Sequence, residues 1–423
     1  MTTRAQRLAM QTFGSLRVHN YRLYFFGQVV SVSGTWMQQI AQAWLVLHLH
    51  GSGVDLGIVS GMRFVPMLLM GPWGGVVADR MDKRRLLMFT QSMAGCCAAA
   101  LAALTLTGTI TLWMVYALAL ALGLVQVLDN PTRQSFASEM VGPAQVSNAV
   151  SLNSAVFTSA RIFGPALAGI LIALLGTGWC FAINSASYLA VIGALAMMRP
   201  HELFRPDRRS HARTGVRDGV RYAWREPRLR WALILLLIVG TLAFNFSVLL
   251  PLMVQQVFHA GASAFGTMMS MMGLGSLMGA LIAAGRSRPT WRVITLGVLS
   301  LGAFLAGTAL APSLTLEMIV LIPAGVAMIT FQATSNSFIQ LSSDASMRGR
   351  VMGLYVTMFV GTTPIGAPIV GWVAQQFGAR TGLMLGATAA IVAGLLAIAV
   401  RSRVNRDAAA HDAPASDADL RAV

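Results

Sequence analysis

Twelve mostly apolar stretches recur along the chain, at roughly 22–49, 55–78, 86–108, 111–135, 147–175, 178–198, 230–258, 262–285, 291–311, 314–340, 349–376 and 381–400. A helix needs about 20 residues to cross a hydrocarbon core of about 30 Å, and each stretch reaches that length. Lipid offers no partner to backbone polar groups, so the stretches must be helical. Several exceed the minimum, which predicts tilt or bending. The expected fold is an all-α membrane protein with twelve transmembrane helices. An even number of crossings puts both termini on one side. The longest polar break, 199–229, is basic, contains proline, and divides six spans from six. Its Gly215–Arg225 part suits a short amphipathic helix on the membrane surface. Residues 1–198 and 230–403 therefore read as two six-helix bundles, 199–229 as a linker and 404–423 as a disordered tail, rich in Ala and Asp from Asp407 onward.

Composition supports the pattern. Of 423 residues, 56% are apolar and only 11% charged, against about 25% charged in a soluble domain. Mean hydropathy is +0.65. Such a chain cannot cover a globular surface with polar groups, which excludes a soluble enzyme and a secreted scaffold. The formal net charge of +16 follows topology: 28 of the 31 Lys and Arg residues fall on the side of the termini, in or beside the breaks after even-numbered spans. By the positive-inside rule that side is cytoplasmic, so the charge does not call for a nucleic-acid partner. Arg380 lies on the opposite side, and Arg63 and Arg161 fall within spans. The three cysteines lack metal-ligand spacing. A polar basic arm precedes the first apolar run, which is too long for a cleavable signal peptide.

The halves repeat. A shift of 202 residues places Thr132, Ser135, Phe136, Gly164, Gly169 and Gly176 on Thr334, Ser337, Phe338, Gly366, Gly371 and Gly378. Parallel repeats joined by a central linker suit a rocker that pivots about a midplane site.

The loop after the second run reads GVVADRMDKRR, Gly75 to Arg85. It resembles the signature loop of the major facilitator superfamily, G-x-x-x-D-R-x-G-R/K-R/K. Gly75, Asp79, Arg80, Lys83 and Arg84 match, and Asp82 replaces the second glycine. The fifth run carries SARIFGPALAG, which is similar to the Gly-Pro antiporter motif of drug exporters at Gly164, Pro165 and Gly169, beside Arg161; a preceding Gly of that motif is absent. With DNPTRQSF and MRGRVMGLY, these segments most resemble the branch of enterobactin-exporter-like proteins and the drug:proton antiporter-3 group. The resemblance implies the major facilitator fold: two homologous six-helix bundles. It also implies a latch in which Asp79 meets the start of the eleventh span, near Arg348–Val351, in the outward-open state. A carboxylate there complements a helix N-terminus. Arg80 or Arg84 is expected to pair with Asp129.

Other residues stand out on their own chemistry. An arginine inside a span costs at least about 2.5–3.5 kcal/mol and should face a cavity or a partner. Arg161, near the midplane, either contacts an anionic or polar substrate group or bonds locally. The first span is rich in amides, with Gln28, Gln38, Gln39 and Gln42 beside Trp36. They form a polar pathway wall or interhelical bonds. Asn245, Gln332, Asn336 and Tyr355 are the candidates in the second half. Met268, Met269, Met271 and Met272 suit apolar packing. Spans hold few acids. Asp129 is the leading proton carrier; Asp55 and Glu317 lie near outer ends.

No phosphate-binding loop, nucleophile elbow or His/Cys/Asp cluster is present in the sequence. The expectation is a secondary active transporter rather than an enzyme, with no cofactor and no metal site. It exports small amphipathic molecules, drugs or siderophores, by proton-coupled alternating access across the bacterial inner membrane, with both termini cytoplasmic, as a functional monomer. Import or facilitated passage of a small metabolite on the same fold is the alternative.

Overall fold

A computed structural model describes residues 13–204, 216–285, 289–344, 346–402 and 404. The tail expected at 404–423 lies outside the described residues apart from Val404, as does the middle of the linker. The described helices are α1 (His19–His48), α2 (Gly53–Arg80), α3 (Lys83–Leu106), α4 (Leu112–Val141), α5 (Val146–Leu175), α6 (Thr177–Ala196), α7 (Val216–Arg225), α8 (Pro227–Leu242), α9 (Phe246–Leu252), α10 (Ala262–Ala284), α11 (Trp291–Leu310), α12 (Leu314–Leu341), α13 (Arg348–Phe359), α14 (Thr363–Phe377) and α15 (Ala379–Ala399).

These make twelve spans. Eleven are long and apolar enough to cross a bilayer. The other, α1, is 30 residues long, and its amides lower its hydropathy. Large apolar side chains such as Trp113, Leu174, Leu189, Leu281 and Leu296 stand exposed, a surface stable in lipid rather than water. Helix α7 sits at the linker's end, with Ala223 buried and Trp224 exposed. Its Tyr222 hydroxyl accepts from the Asp344 backbone N–H at 3.1 Å.

Two spans are broken. The seventh runs as α8, then α9, then a wide turn at Met253–Val257. At the first break the Asn245 amide donates to the Thr241 carbonyl at 2.7 Å, a side-chain bond that competes with the helix ladder. The eleventh span breaks between α13 and α14, where Pro364 lacks an N–H and restricts Thr363 before it. The fourth span runs to Val141 rather than ending near 135, because Phe136, Met140 and Val141 bury against Tyr21 and Tyr24. Arg133, counted above as a charge of the basic side, therefore lies inside a span.

Both halves use one packing plan. The first span packs on the fifth and sixth, the second on the fourth, and the third on the fourth and sixth. In the second half α8 packs on α13, α14 and α15, α10 on α12, and α11 on α12 and α15. The repeated glycines keep their roles. Gly176 and Gly378 have φ of 86° and 91° and precede α6 and α15, a conformation that favours glycine. A Cβ on Gly123 would meet the Arg63 carbonyl at 2.5 Å, and one on Gly325 the Met272 carbonyl at 2.3 Å. Positions 63 and 272 are thus equivalent, in a register of 209 residues where α4 and α12 keep 202.

The halves meet along α2 with α14 and along α5 with α10. A Cβ on Gly53 or Gly57 would strike the backbone of Gly371 or Ala367 at 2.4 and 2.5 Å, and one on Gly266 the Pro165 carbonyl at 2.3 Å. Such small residues allow close helix approach in lipid. These contacts occupy the half of each helix away from the basic loops and reach inward to Gly361 against Leu68 and Gly273 against Arg161. Toward the basic end, a Cβ on Gly75, Gly349 or Gly353 would meet nothing within 4 Å. The bundles touch at the far end and diverge at the basic end.

Candidate transport site and latch

The densest polar cluster lies inside the first bundle. On α4, Asp129 and Arg133 are one helical turn apart, a spacing that brings side chains together. Arg133 Nη2 pairs with Asp129 Oδ2 at 2.7 Å and its Nε donates to the same oxygen at 3.1 Å. The other carboxylate oxygen accepts from Thr90 Oγ1 at 2.8 Å and Gln91 Nε2 at 2.6 Å, both on α3. Arg133 Nη1 also donates to Gln28 Oε1 on α1. Asp129 is 6% exposed and Gln28 1%, so the network supplies the partners that a charge in a span requires.

A cavity of about 220 Å³ opens beside it, lined among others by Trp36, Gln39, Arg63, Gln126, Asp129 and Arg133. With its amide oxygen facing Arg63, Gln126 accepts from Nη2 at 2.9 Å and Nε at 3.3 Å. The Arg161 guanidinium lies 5.3 Å from the centre of the Trp36 ring, within cation–π range. The first-span amides divide. Gln28 and Gln39 serve the cluster and the cavity, whereas Gln38 turns to α6 and accepts from Asn184 Nδ2. Gly164 backs Trp36 so closely that a Cβ would sit 2.6 Å from it. Pro165 and Gly169 face α10 across the interface between the bundles.

The loop motif is arranged otherwise than expected. Neither Arg80 nor Arg84 pairs with Asp129, whose oxygens are occupied by nearer donors. Arg84 donates instead to the carbonyls of Leu195 and Ala196 at 2.6 and 3.0 Å, groups at the end of α6 that lack helical partners. Lys83 pairs with Glu139 on α4. Asp82 caps α3, accepting from the Arg85 N–H at 3.0 Å, which is what a side chain in place of the motif's second glycine does here. Asp79 and Arg80 are exposed, and Asp79 has no bond to a described residue.

In the second half, Tyr355 on α13 lies beside Gln332 and Asn336 on α12 and stacks with Phe359, centroids 5.9 Å apart. Phe359 meets Phe244 edge-on at 5.0 Å. Asn245 does not join this group; its amide closes the α8–α9 break. Asp55 caps α2 with Ser52 and accepts from Tyr116. Glu317 is fully buried, and neither of its oxygens has a hydrogen-bond partner among the described residues. His48 and His50 are exposed.

A family model described as "Transmembrane secretion effector" matches residues 10–420. The chain belongs to this family, of major facilitator type. Among curated relatives of this chain, the staphyloferrin A transporter of Staphylococcus aureus is 25% identical, over 86% of this chain and 92% of the relative. The multidrug efflux pump Tap of Mycolicibacterium fortuitum is 26% identical, over 89% and 94%. The enterobactin exporter EntS of Escherichia coli O1:K1 / APEC is 22% identical, over 83% and 84%. The nucleoside transporter NupG superposes with a TM-score of 0.74 at 13% identity, over 91% of this chain and 99% of that one. A bacterial homologue of the lysosomal transporter Spinster, inward-facing and unoccupied, gives 0.73 at 12%, over 92% and 97%. These two show the shared fold.

Several groups of the site did not stand out in the sequence. Arg133 reads there as a charge at the cytoplasmic end of the fourth span, though the spacing Asp129-x-x-x-Arg133 on one helix carried the signal. Thr90, Gln91 and Gln126 look like ordinary polar residues in apolar runs. Only packing shows that they surround one carboxylate and one guanidinium.

Proposed function

We propose that the protein is a proton-coupled exporter of small amphipathic molecules, drugs or siderophores, working by alternating access. The observation that carries this reading is the pair of glycine-lined contacts between bundles that diverge toward the basic end, with a polar cavity beside the divergence. Family membership and the exporters among its relatives support the direction. The positive-inside rule assigns the basic end to the cytoplasm, so both termini face inward in the bacterial inner membrane and the described state is inward-open. One chain contains both bundles and acts as a monomer.

Alternating access then closes the basic end and opens the far end. Asp79 is unbonded in the inward-open state and meets the N-terminus of α13 when the basic end closes, with Gly75, Arg80, Lys83 and Arg84 shaping its loop. A latch of a few kcal/mol is enough to reset the populations. Trp36, Gln39 and Gln28 on one side, and Gln332, Asn336, Tyr355 and the broken helix at Asn245 on the other, line the pathway. Asp129 carries the proton: it takes it up from the outer side and releases it at the basic end, where the restored charge again holds Arg133, so proton and substrate travel in opposite directions.

The test is expression in a bacterial strain stripped of its own pumps, with retention of dyes and labelled siderophores measured. Lowered retention that a protonophore restores is expected. Raised retention refutes export. Lowered retention indifferent to the protonophore, or unchanged gradient-dependent efflux by Asp129→Asn, refutes the coupling.

A further inference from the structure

The charge around the first-bundle cavity does not balance. Arg63, Arg133 and Arg161 are all inside spans, and among the described residues the only carboxylate lining the cavity is Asp129, taken up by Arg133. Arg63 has a neutral amide as its partner. Arg161 lies on the Trp36 ring, and the structure shows no hydrogen bond or ion pair from it to a described residue. Two guanidinium groups, that of Arg63 on the cavity wall and that of Arg161 on the Trp36 ring that lines it, are thus held in a lipid-embedded bundle with no counter-charge among the described residues. An uncompensated charge there is costly. Had packing alone been required, uncharged residues would serve, and the second bundle uses them: the position equivalent to Arg63 is Met272, and that equivalent to Arg161 is Thr363.

We propose that this cavity is an anion subsite, in which a carboxylate or other acidic group of the cargo lies between Arg63 and Arg161 while its apolar part covers Trp36. The inference rests on the exporter reading and adds the substrate's charge class. Guanidinium groups suit this use because each offers a planar fork of donors to a carboxylate. One face of Arg161 is taken by the indole, which leaves its edge for the ligand. Gln126 holds Arg63 in place without neutralising it. Asp129 holds Arg133 out of the subsite, so the charge presented to the cargo is that of Arg63 and Arg161. A cationic molecule of the same shape gains nothing from these arginines.

Fluorescein and rhodamine 123 share a xanthene skeleton and differ in charge, which makes them the probes. Binding to the full chain in phosphatidylcholine nanodiscs is read by fluorescence polarisation near neutral pH. Fluorescein is expected to bind more tightly than rhodamine 123 by about tenfold or more. Arg63→Gln and Arg161→Gln should each remove most of that preference while leaving rhodamine binding equal or tighter. Arg63→Lys and Arg161→Lys should keep part of it, and a melting curve on each variant establishes that it is folded. Equal binding of the two dyes, tighter rhodamine binding, or no fluorescein binding overturns the anion subsite. So does a parallel loss of both dyes in a folded variant, which marks the arginines as structural. Loss of fluorescein binding when phosphatidylglycerol replaces phosphatidylcholine assigns the subsite to a lipid headgroup and overturns the cargo assignment. Efflux from cells is measured separately, so export can stand while the charge class falls.

Discussion

Where the first bundle carries Asp129, the second carries Phe331. Arg133 is answered by Ser335, Arg161 by Thr363 and Arg63 by Met272. The helices around these positions pack in the same order, and the glycines that let them approach are shared. The comparison separates two jobs. Features common to both bundles maintain the fold and the hinge surfaces; features confined to the first handle charge. The second bundle offers aromatic and amide groups around Tyr355 and no charged cluster facing it. The proposed amphipathic cargo suits that asymmetry, with its acidic group toward the arginines of the first bundle.

The largest effect should separate the bundles. Asp129→Leu strands Arg133 as a buried unpaired charge, a loss of about 3–5 kcal/mol, whereas Phe331→Leu at the equivalent place should cost less than about 1.5 kcal/mol. Thermal melting in detergent with efflux at matched expression reads both, and equal losses would erase the proposed division. The next effect should unite the bundles. Gly123→Ala and Gly325→Ala each push a methyl into a facing carbonyl and should cost about 1–3 kcal/mol in both halves alike; a loss confined to one half would break the equivalence of positions 63 and 272. Gly176→Ala and Gly378→Ala meet no neighbour, since nothing lies within 4 Å of either Cβ. They nevertheless impose a backbone strain of about 1–3 kcal/mol through the positive φ. The melting temperature should fall by similar amounts, with dye binding unchanged. The smallest effect is expected from Asn184→Ala, which removes the donor to Gln38. Interhelical bonds in lipid average about 0.6 kcal/mol, so a loss of the size seen for Asp129→Leu would move Gln38 from interhelical bonding into the site.

How far the sequence alone carries depends on the range of the interaction. Apolar run length, the absence of partners in lipid, and the sidedness of Arg and Lys are local or additive properties, so twelve helical spans and a sixfold division were legible in the letters. The repeat was legible too, because identical backbone demands leave identical glycines at 176 and 378. The motif placed the turn between the second and third spans, which the structure narrows to Met81 and Asp82 between α2 and α3. Which groups meet was another matter. Asp129 was expected to pair with Arg80 or Arg84, and it pairs with Arg133, since an i,i+4 neighbour on the same helix competes better than a side chain from a loop beyond the next span. Asn245 looked like a pathway residue and instead closes a helix break. The four amides of α1 were indistinguishable in sequence, and the neighbours that α4 and α6 bring to each turn of the helix send Gln28 to an arginine and Gln38 to an asparagine. The imbalance of charge around Trp36 likewise exists only once α2, α4 and α5 are packed about it. Partners across hundreds of residues are chosen by helix rotation and depth in the bundle, quantities that the order of residues along one helix does not contain.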